Sequence, residues 1–188
     1  EGKFNIARLI DDIHPLLESQ MVQKNIEYSQ DINLKNEWFW GDELRIQQVL
    51  INLLSNAIKY SKRCGHIKLT ISENYSDGNV SGIYFAVEDD GIGIAEDKQQ
   101  LVFKSFEQAD DSGGARKQGT GLGLAICSNL INMMKSNINL ESELCKGSKF
   151  SFTLNLKVVA EDNSLHDKET LDFSGKKVLV VEDNELNM

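Results

Sequence analysis

The chain has 188 residues, 40% of them hydrophobic and 26% charged, with a formal net charge of −9. That length supports one well-buried core but not two complete domains, and no apolar run approaches the ~20 residues of a membrane span. The acidic balance argues against general nucleic-acid binding, which depends on clustered Lys and Arg, so any phosphate bound here must be held locally and with a metal cation. Cys64, Cys127 and Cys145 stand far apart with no Cys-x-x-Cys pair, so they read as reduced thiols and not as a disulfide framework or zinc site. With nothing resembling a secretion signal, the expected setting is cytoplasmic.

In chain order, Phe4 to Gln23 carries Phe4, Leu9, Ile10, Ile13, Leu16, Leu17 and Met21 at three- and four-residue spacing, which predicts an amphipathic helix. Pro15, the only proline, is expected to kink or divide it. Ile26 to Ile32 alternates as an edge or half-buried strand, and Trp38-Phe39-Trp40 is a short aromatic segment before Gly41. Asp42 is a good N-cap for a helix running to about Ser61, with Ile46, Val49, Leu50, Leu53, Leu54, Ala57 and Ile58 on one broad apolar face. Strands follow at Ile67 to Glu73 and Ile83 to Val87, with Asp77-Gly78 as the hairpin turn between them.

A helix is expected around Glu96 to Val102, then a loop from Ser105 to Gln118 that loses all apolar periodicity. A helix from Thr120 to Met134 and strands at Ile138 to Glu141 and Lys149 to Leu156 complete the pattern. It is that of an α+β sandwich, one sheet covered on one face by helices. Residues 158–175 are polar and acidic, a linker by composition. Lys177-Val178-Leu179-Val180-Val181 then reads as a strand buried on both faces, the first strand of a second domain.

Three segments carry chemistry. In Arg116-Lys117-Gln118-Gly119-Thr120-Gly121-Leu122-Gly123-Leu124 alternate glycines lead straight into a helix. Such glycines let backbone N–H groups approach a ligand, and the helix aims its unpaired donors and positive dipole end at the same place, which makes a phosphate cradle. Arg116 and Lys117 are placed to close over it. In the helix beginning at Asp42, Gln48, Asn52, Asn56 and Lys59 form one polar stripe. Amide oxygens and an ammonium suit a magnesium-bound polyphosphate, though a solvated helix edge has the same pattern and the spacing alone leaves both readings open.

In Glu88-Asp89-Asp90-Gly91-Ile92-Gly93-Ile94 an apolar strand ends in acids and enters a Gly-x-Gly turn. A carboxylate accepts hydrogen bonds only, so it selects an exocyclic amino group such as that of adenine, while the glycines admit a base close to the backbone. Phe103 and Phe106 bracket the start of the loop and are equally suited to anchoring it or to lying in the core.

In this order, Asn52-Leu53-Leu54-Ser55-Asn56-Ala57-Ile58-Lys59, Asp89-Asp90-Gly91-Ile92-Gly93, Phe103-Lys104-Ser105-Phe106 and Gly119-Thr120-Gly121-Leu122-Gly123-Leu124 closely resemble the asparagine, first glycine, phenylalanine and second glycine boxes of sensor histidine kinases. They lie in the catalytic ATP-binding domain of that family, and the resemblance spans about Phe4 to Leu156. Glu107-Gln108-Ala109-Asp110 and Val180-Val181-Glu182-Asp183-Asn184 resemble hybrid kinases in particular, the latter being like the opening strand of a receiver domain.

The resemblance implies a Bergerat-type two-layer α/β sandwich, a mixed sheet with helices on one face. It divides the chain into a helical connection from a dimerisation domain (1–25), the catalytic domain (26–157), a linker (158–175) and the start of a receiver domain (176–188). It implies ATP and Mg2+ as ligands. Asn56 would chelate magnesium with Asn52 in support, Lys59 would touch phosphate, Tyr60 would lie against adenine and Asp89 would take its amino group. Gly91, Gly93 and Ile94 would shape the base pocket. Phe106, Arg116, Lys117, Gly119, Thr120, Gly121, Leu122, Gly123 and Leu124 would line the phosphate side, and Glu182 and Asp183 would be receiver acids for magnesium. The implied partners are ATP or ADP, a histidine-bearing dimerisation domain and a receiver domain, with no nucleic acid and no membrane contact by this region, although the parent protein is compatible with a membrane anchor.

Two departures stand out. Gln118 occupies a place where many relatives have glycine, and the phosphoacceptor pattern of histidine, acid and later proline is absent: His14 directly precedes Pro15, His66 opens a strand and His166 lies in the linker. Two other expectations compete. ATP-hydrolysing relatives of the gyrase or chaperone type carry an acid where this chain has Asn52, and a docking or sensing module would bind nucleotide without transferring phosphate.

Overall fold

The computed structural model describes residues 1–103 and 122–159. Ten elements follow one another: β1 (Gly2–Asn5), α1 (Ile6–Lys24), β2 (Glu27–Asn33), β3 (Trp38–Gly41), α2 (Glu43–Tyr60), β4 (His66–Ser76), β5 (Val80–Asp89), α3 (Gly123–Met133), β6 (Asn139–Glu143) and β7 (Gly147–Val158). The strands form one mixed sheet in the order β1-β3-β7-β5-β4-β2, with β6 also paired to β7. Among the described residues only β2 and β4 run parallel, and the other pairings are antiparallel.

The sheet's inner face carries Ile67, Leu69 and Ile71 from β4, Ile83, Phe85 and Val87 from β5, and Phe150, Phe152, Leu154 and Leu156 from β7, all buried. Phe85 faces Phe152 in register, the rings stacked at 4.9 Å. Against this face lie Ile10, Ile13 and Leu17 of α1, Ile46, Leu50 and Leu53 of α2, and Cys127 and Ile131 of α3, in the same hydrophobic core. Each such aliphatic side chain contributes roughly 1.5–3 kcal/mol by leaving water. On the other face Glu27, His66, Lys68 and Glu88 are exposed, and Lys68 pairs with Asp31 at 3.6 Å. The architecture is the expected two-layer α/β sandwich with a mixed sheet and helices on one face.

α2 forms as its sequence dictates. Asp42 caps it by accepting from the Arg45 amide at 3.2 Å, and the predicted apolar positions are its buried residues. The predicted hairpin is also present, but β4 and β5 are longer than their apolar runs, and Asp77 Oδ1 accepts from the Asn79 and Val80 amides to shape the turn.

Three local expectations are corrected. The first helix begins at Ile6, not Phe4, because Gly2–Asn5 pairs with β3 as a strand and Asn5 becomes the N-cap, accepting from the Arg8 amide at 3.1 Å. Pro15 does not divide α1, which runs unbroken to Lys24; Leu9, Ile10 and Ile13 before it and Leu17 and Met21 after it are buried on one stripe, and that packing outweighs the lost backbone bond. The helix expected at Glu96 to Val102 is only a 3-10 turn, Glu96–Lys98, with no buried residue of its own, too short and too polar to propagate.

Candidate functional site

The functional stripe lies along α2. One turn apart, Asn52 and Asn56 meet the start of α3: a Cβ built on Gly123 would sit 3.6 Å from Asn52 Oδ1 and 3.9 Å from Asn56 Nδ2, ordinary contact distances. No side chain caps α3, whose N-cap position is Leu122. Its first-turn amides and positive dipole end therefore start beside two side-chain amides. Cys127, one turn into α3, is fully buried against α2, with its sulfur 3.8 Å from the Val49 carbonyl and hydrogen-bonded with Asn52; burial pushes its thiol up to about 12. It is part of the hydrophobic core.

At the C-terminal end of α2, Tyr60 meets the Asp-Gly turn. The Ile92 amide donates to the Tyr60 carbonyl at 3.2 Å, and a Cβ on Gly91 would lie 2.5 Å from that same oxygen, so only glycine lets the turn come this close. Lys59 lies with its ammonium 4.7 Å from the Tyr60 ring centroid. This end of the helix is secured by a residue that no motif pointed to. Lys24, the last residue of α1, donates to the carbonyls of Ile58 at 2.8 Å, Lys59 at 2.7 Å and Ser61 at 3.3 Å. A cation there satisfies orphan carbonyls and complements the negative end of the dipole.

Asp89 ends β5 almost buried, 9% exposed. One carboxylate oxygen accepts from the Gly91 amide at 2.8 Å and the group is also bonded by the Ser148 backbone, yet burial dominates and raises its pKa to about 6. A desolvated carboxylate with remaining acceptor capacity strongly favours a donor ligand. Asp90 points elsewhere: its carboxylate lies 3.3 Å from His66 Nδ1, while His66 Nε2 lies 2.8 Å from Glu27. These two acids, Asp90 first, raise the His66 pKa on the open face, where the histidine ties β2 and β4 to the end of β5.

Gly93 has φ +68°, and a Cβ there would fall 2.0 Å from the Glu143 carbonyl oxygen. The turn from Gly91 to Ile94 is thus pressed against the β6–β7 hairpin, with the Cys145 amide donating to the Ile92 carbonyl at 2.7 Å and the Ile94 amide donating to Ser142 Oγ at 2.8 Å. Phe103 packs edge-on against Phe150 with centroids 6.2 Å apart. Leu124 packs on the core. Phe106, Arg116, Lys117, Gly119, Thr120, Gly121, Glu182 and Asp183 lie outside the described residues.

Tyr60, with Asp89 and Gly91 beside it, and Asn52 and Asn56, with Gly123 facing them, are therefore ranged along one helix. Among the described residues no cluster of three or more His, Cys, Asp or Glu could hold a metal ion. The donors present are neutral amides, which fit a cation that arrives already bound to an anionic ligand. No helix among the described residues is long and apolar enough to cross a membrane.

The fold is that of histidine kinase catalytic domains. The chain belongs to the family of histidine kinase-, DNA gyrase B- and HSP90-like ATPases, which matches residues 41–158. It is 34% identical over 188 residues to the signal transduction histidine-protein kinase BarA of Escherichia coli strain K12, covering 96% of this chain and 20% of that one. The chain spans about a fifth of the length of the curated relatives it matches. Among solved structures it is similar to full-length ShkA in complex with AMPPNP, at 30% identity and a TM-score of 0.72 over 85% of this chain and 32% of that one. It is likewise similar to the nucleotide-free catalytic domain of the histidine kinase ThkA, at 30% identity and a TM-score of 0.66 over 81% of this chain and 95% of that one.

Proposed function

We propose that this domain binds Mg-ATP and donates the γ-phosphoryl group to a histidine on a separate dimerisation domain, within a two-component phosphorelay on the cytoplasmic side. The observation that carries this reading is the alignment along α2, with Asp89 and Gly91 against Tyr60 at one end and Gly123 against Asn52 and Asn56 at the other. Asp89 accepts the adenine amino group, and the closely packed Gly91–Ile94 backbone receives the base. Asn56, with Asn52 behind it, is the magnesium ligand, and Lys59 neutralises phosphate. Magnesium would supply charge neutralisation of the triphosphate; the chain's own part is positioning.

Among the described residues the phosphate end of the site carries no general base. Asn52 is an amide and takes up no proton, which favours transfer to an external histidine over hydrolysis by this chain. None of His14, His66 and His166 is read as the acceptor. Residues 1–25 lead in from the dimerisation domain, 158–175 are the linker, and 176–188, with Glu182 and Asp183, belong to the start of a receiver domain. The test is to mix the purified chain with the parent protein's dimerisation domain and γ-labelled ATP. Label on that domain's histidine is the expected result; nucleotide binding without transfer supports a sensing module, and release of free phosphate without label on protein supports the hydrolytic relatives.

A further inference from the structure

The Gly91–Ile94 turn is held from behind by two side chains that belong to none of the sequence motifs. Ser142, on β6, accepts the Ile94 amide on its hydroxyl at 2.8 Å, and the same oxygen lies 2.9 Å from the Gly147 carbonyl and 2.9 Å from Ser148 Oγ. The valences close. One hydroxyl proton goes to the Gly147 carbonyl, and the two lone pairs take the Ile94 N–H and the Ser148 hydroxyl proton. Gln99 completes the clamp, its side-chain amide donating to the Ile94 carbonyl at 3.1 Å and to the Ser142 carbonyl at 2.9 Å. Both backbone polar groups of Ile94 are thereby fixed.

The far side of the same hub reaches Asp89. Gly147 and Ser148 open β7, Ser148 pairs in register with Asp89, and the Ser148 backbone hydrogen-bonds the Asp89 carboxylate. Gly147 lies so near the Asp89 carbonyl that a Cβ on it would fall 1.9 Å from that oxygen. One hydroxyl therefore ties the strand end that presents the carboxylate to the turn that presents the bare backbone.

We propose that Ser142, assisted by Gln99, is a positioning residue for base recognition: it sets the distance between the Asp89 carboxylate and the Gly91–Ile94 backbone, and with it the preference for adenine over guanine. Adenine offers an amino donor to the carboxylate and guanine an acceptor oxygen, so the discrimination depends on how rigidly that distance is kept. The inference rests on the nucleotide-binding reading above.

The test compares wild type, Ser142→Ala and Ser142→Thr by displacement of a fluorescent ATP analogue with ATP and with GTP in magnesium, alongside amide hydrogen exchange at Ile94 without nucleotide. Ser142→Ala is expected to weaken ATP about tenfold, the loss of one well-placed hydrogen bond. It is also expected to narrow the ATP-to-GTP ratio and to speed exchange at Ile94, whereas Ser142→Thr, which keeps the hydroxyl, retains wild-type values. If Ser142→Ala does not fold, Gln99→Ala is measured instead, with the same direction expected. Faster exchange at Ile94 in the measured variant with ATP affinity and the ATP-to-GTP ratio unchanged overturns the inference, because the clamp is then structural only. Wild type that binds neither nucleotide overturns the nucleotide reading and this inference together, a result distinct from wild type that binds and variants that bind equally well.

Discussion

Gly123 stands over Asn52 with ordinary van der Waals room to spare, its hypothetical Cβ 3.6 Å from the side-chain oxygen. The apo fold therefore does not require glycine at this first position of α3. Gly123→Ala should leave thermal unfolding within about 1 kcal/mol of wild type, since alanine is the better helix former. If α3 receives phosphate, the added methyl stands between its first amides and the Asn52–Asn56 pair, and ATP affinity should fall at least about tenfold, some 1.4 kcal/mol. Calorimetric titration beside a melting curve separates the two, and an alanine variant that binds normally removes Gly123 from the site.

Asp89 makes both stability and binding depend on pH. Burial lifts its pKa from 3.8 to about 6, so the folded domain holds this proton more tightly than the unfolded chain does. Its contribution to stability is thus fully present below about pH 4 and is lost as pH rises towards 6, by at most about 3 kcal/mol and less in practice because the group is partly hydrated. Urea unfolding of ligand-free wild type and Asp89→Asn across pH 4 to 7 should show this downward slope only in wild type; parallel curves would contradict it. ATP binding should run the other way, weakening below pH 6 as the carboxylate loses its acceptor character, and Asp89→Asn should lose adenine preference at every pH.

Gly93→Ala tests the backbone directly. Its φ of +68° and the 2.0 Å approach of a Cβ to the Glu143 carbonyl combine left-handed strain with a collision against main chain. The expected cost is about 3 kcal/mol, read as a lower urea midpoint. A midpoint equal to that of wild type would mean that the turn and the β6–β7 hairpin separate easily.

The thiols should react in two classes. Cys64 and Cys145 are exposed and Cys127 is buried with its pKa pushed up to about 12. A thiol reagent at pH 8 is expected to modify two cysteines in the native domain and the third only in denaturant. Rapid native labelling of Cys127 would show that α3 leaves α2 often.

Local signals in the sequence made α2 legible almost to the residue, because Asp42, the apolar spacing and the buried face all lie within eighteen positions of one another. The same signals misassigned Phe4, whose burial arises from strand pairing of Gly2–Asn5 with β3, some 35 residues downstream. They also overstated the segment after Glu96, where charged residues dominate and a single turn forms. In the site, Asn52, Asn56, Asp89 and Gly91 announced themselves through residue type and position. Lys24, Ser142 and Gln99 did not: a lysine at a helix end, a serine in a polar strand and a glutamine among charges are ordinary until the fold sets them against carbonyls and amides 34 to 48 positions away.

Among the described residues β3 joins the rest of the sheet through β7, where Trp38, Phe39 and Trp40 meet Val159, Val158 and Lys157, and β1 joins through β3. Among the described strands, β1 thus has no seat in the sheet until β7 is available. On the ribosome β1 and β3 emerge before β7 and dock after it, so the sheet cannot close across β3 before Val158 has left the exit tunnel.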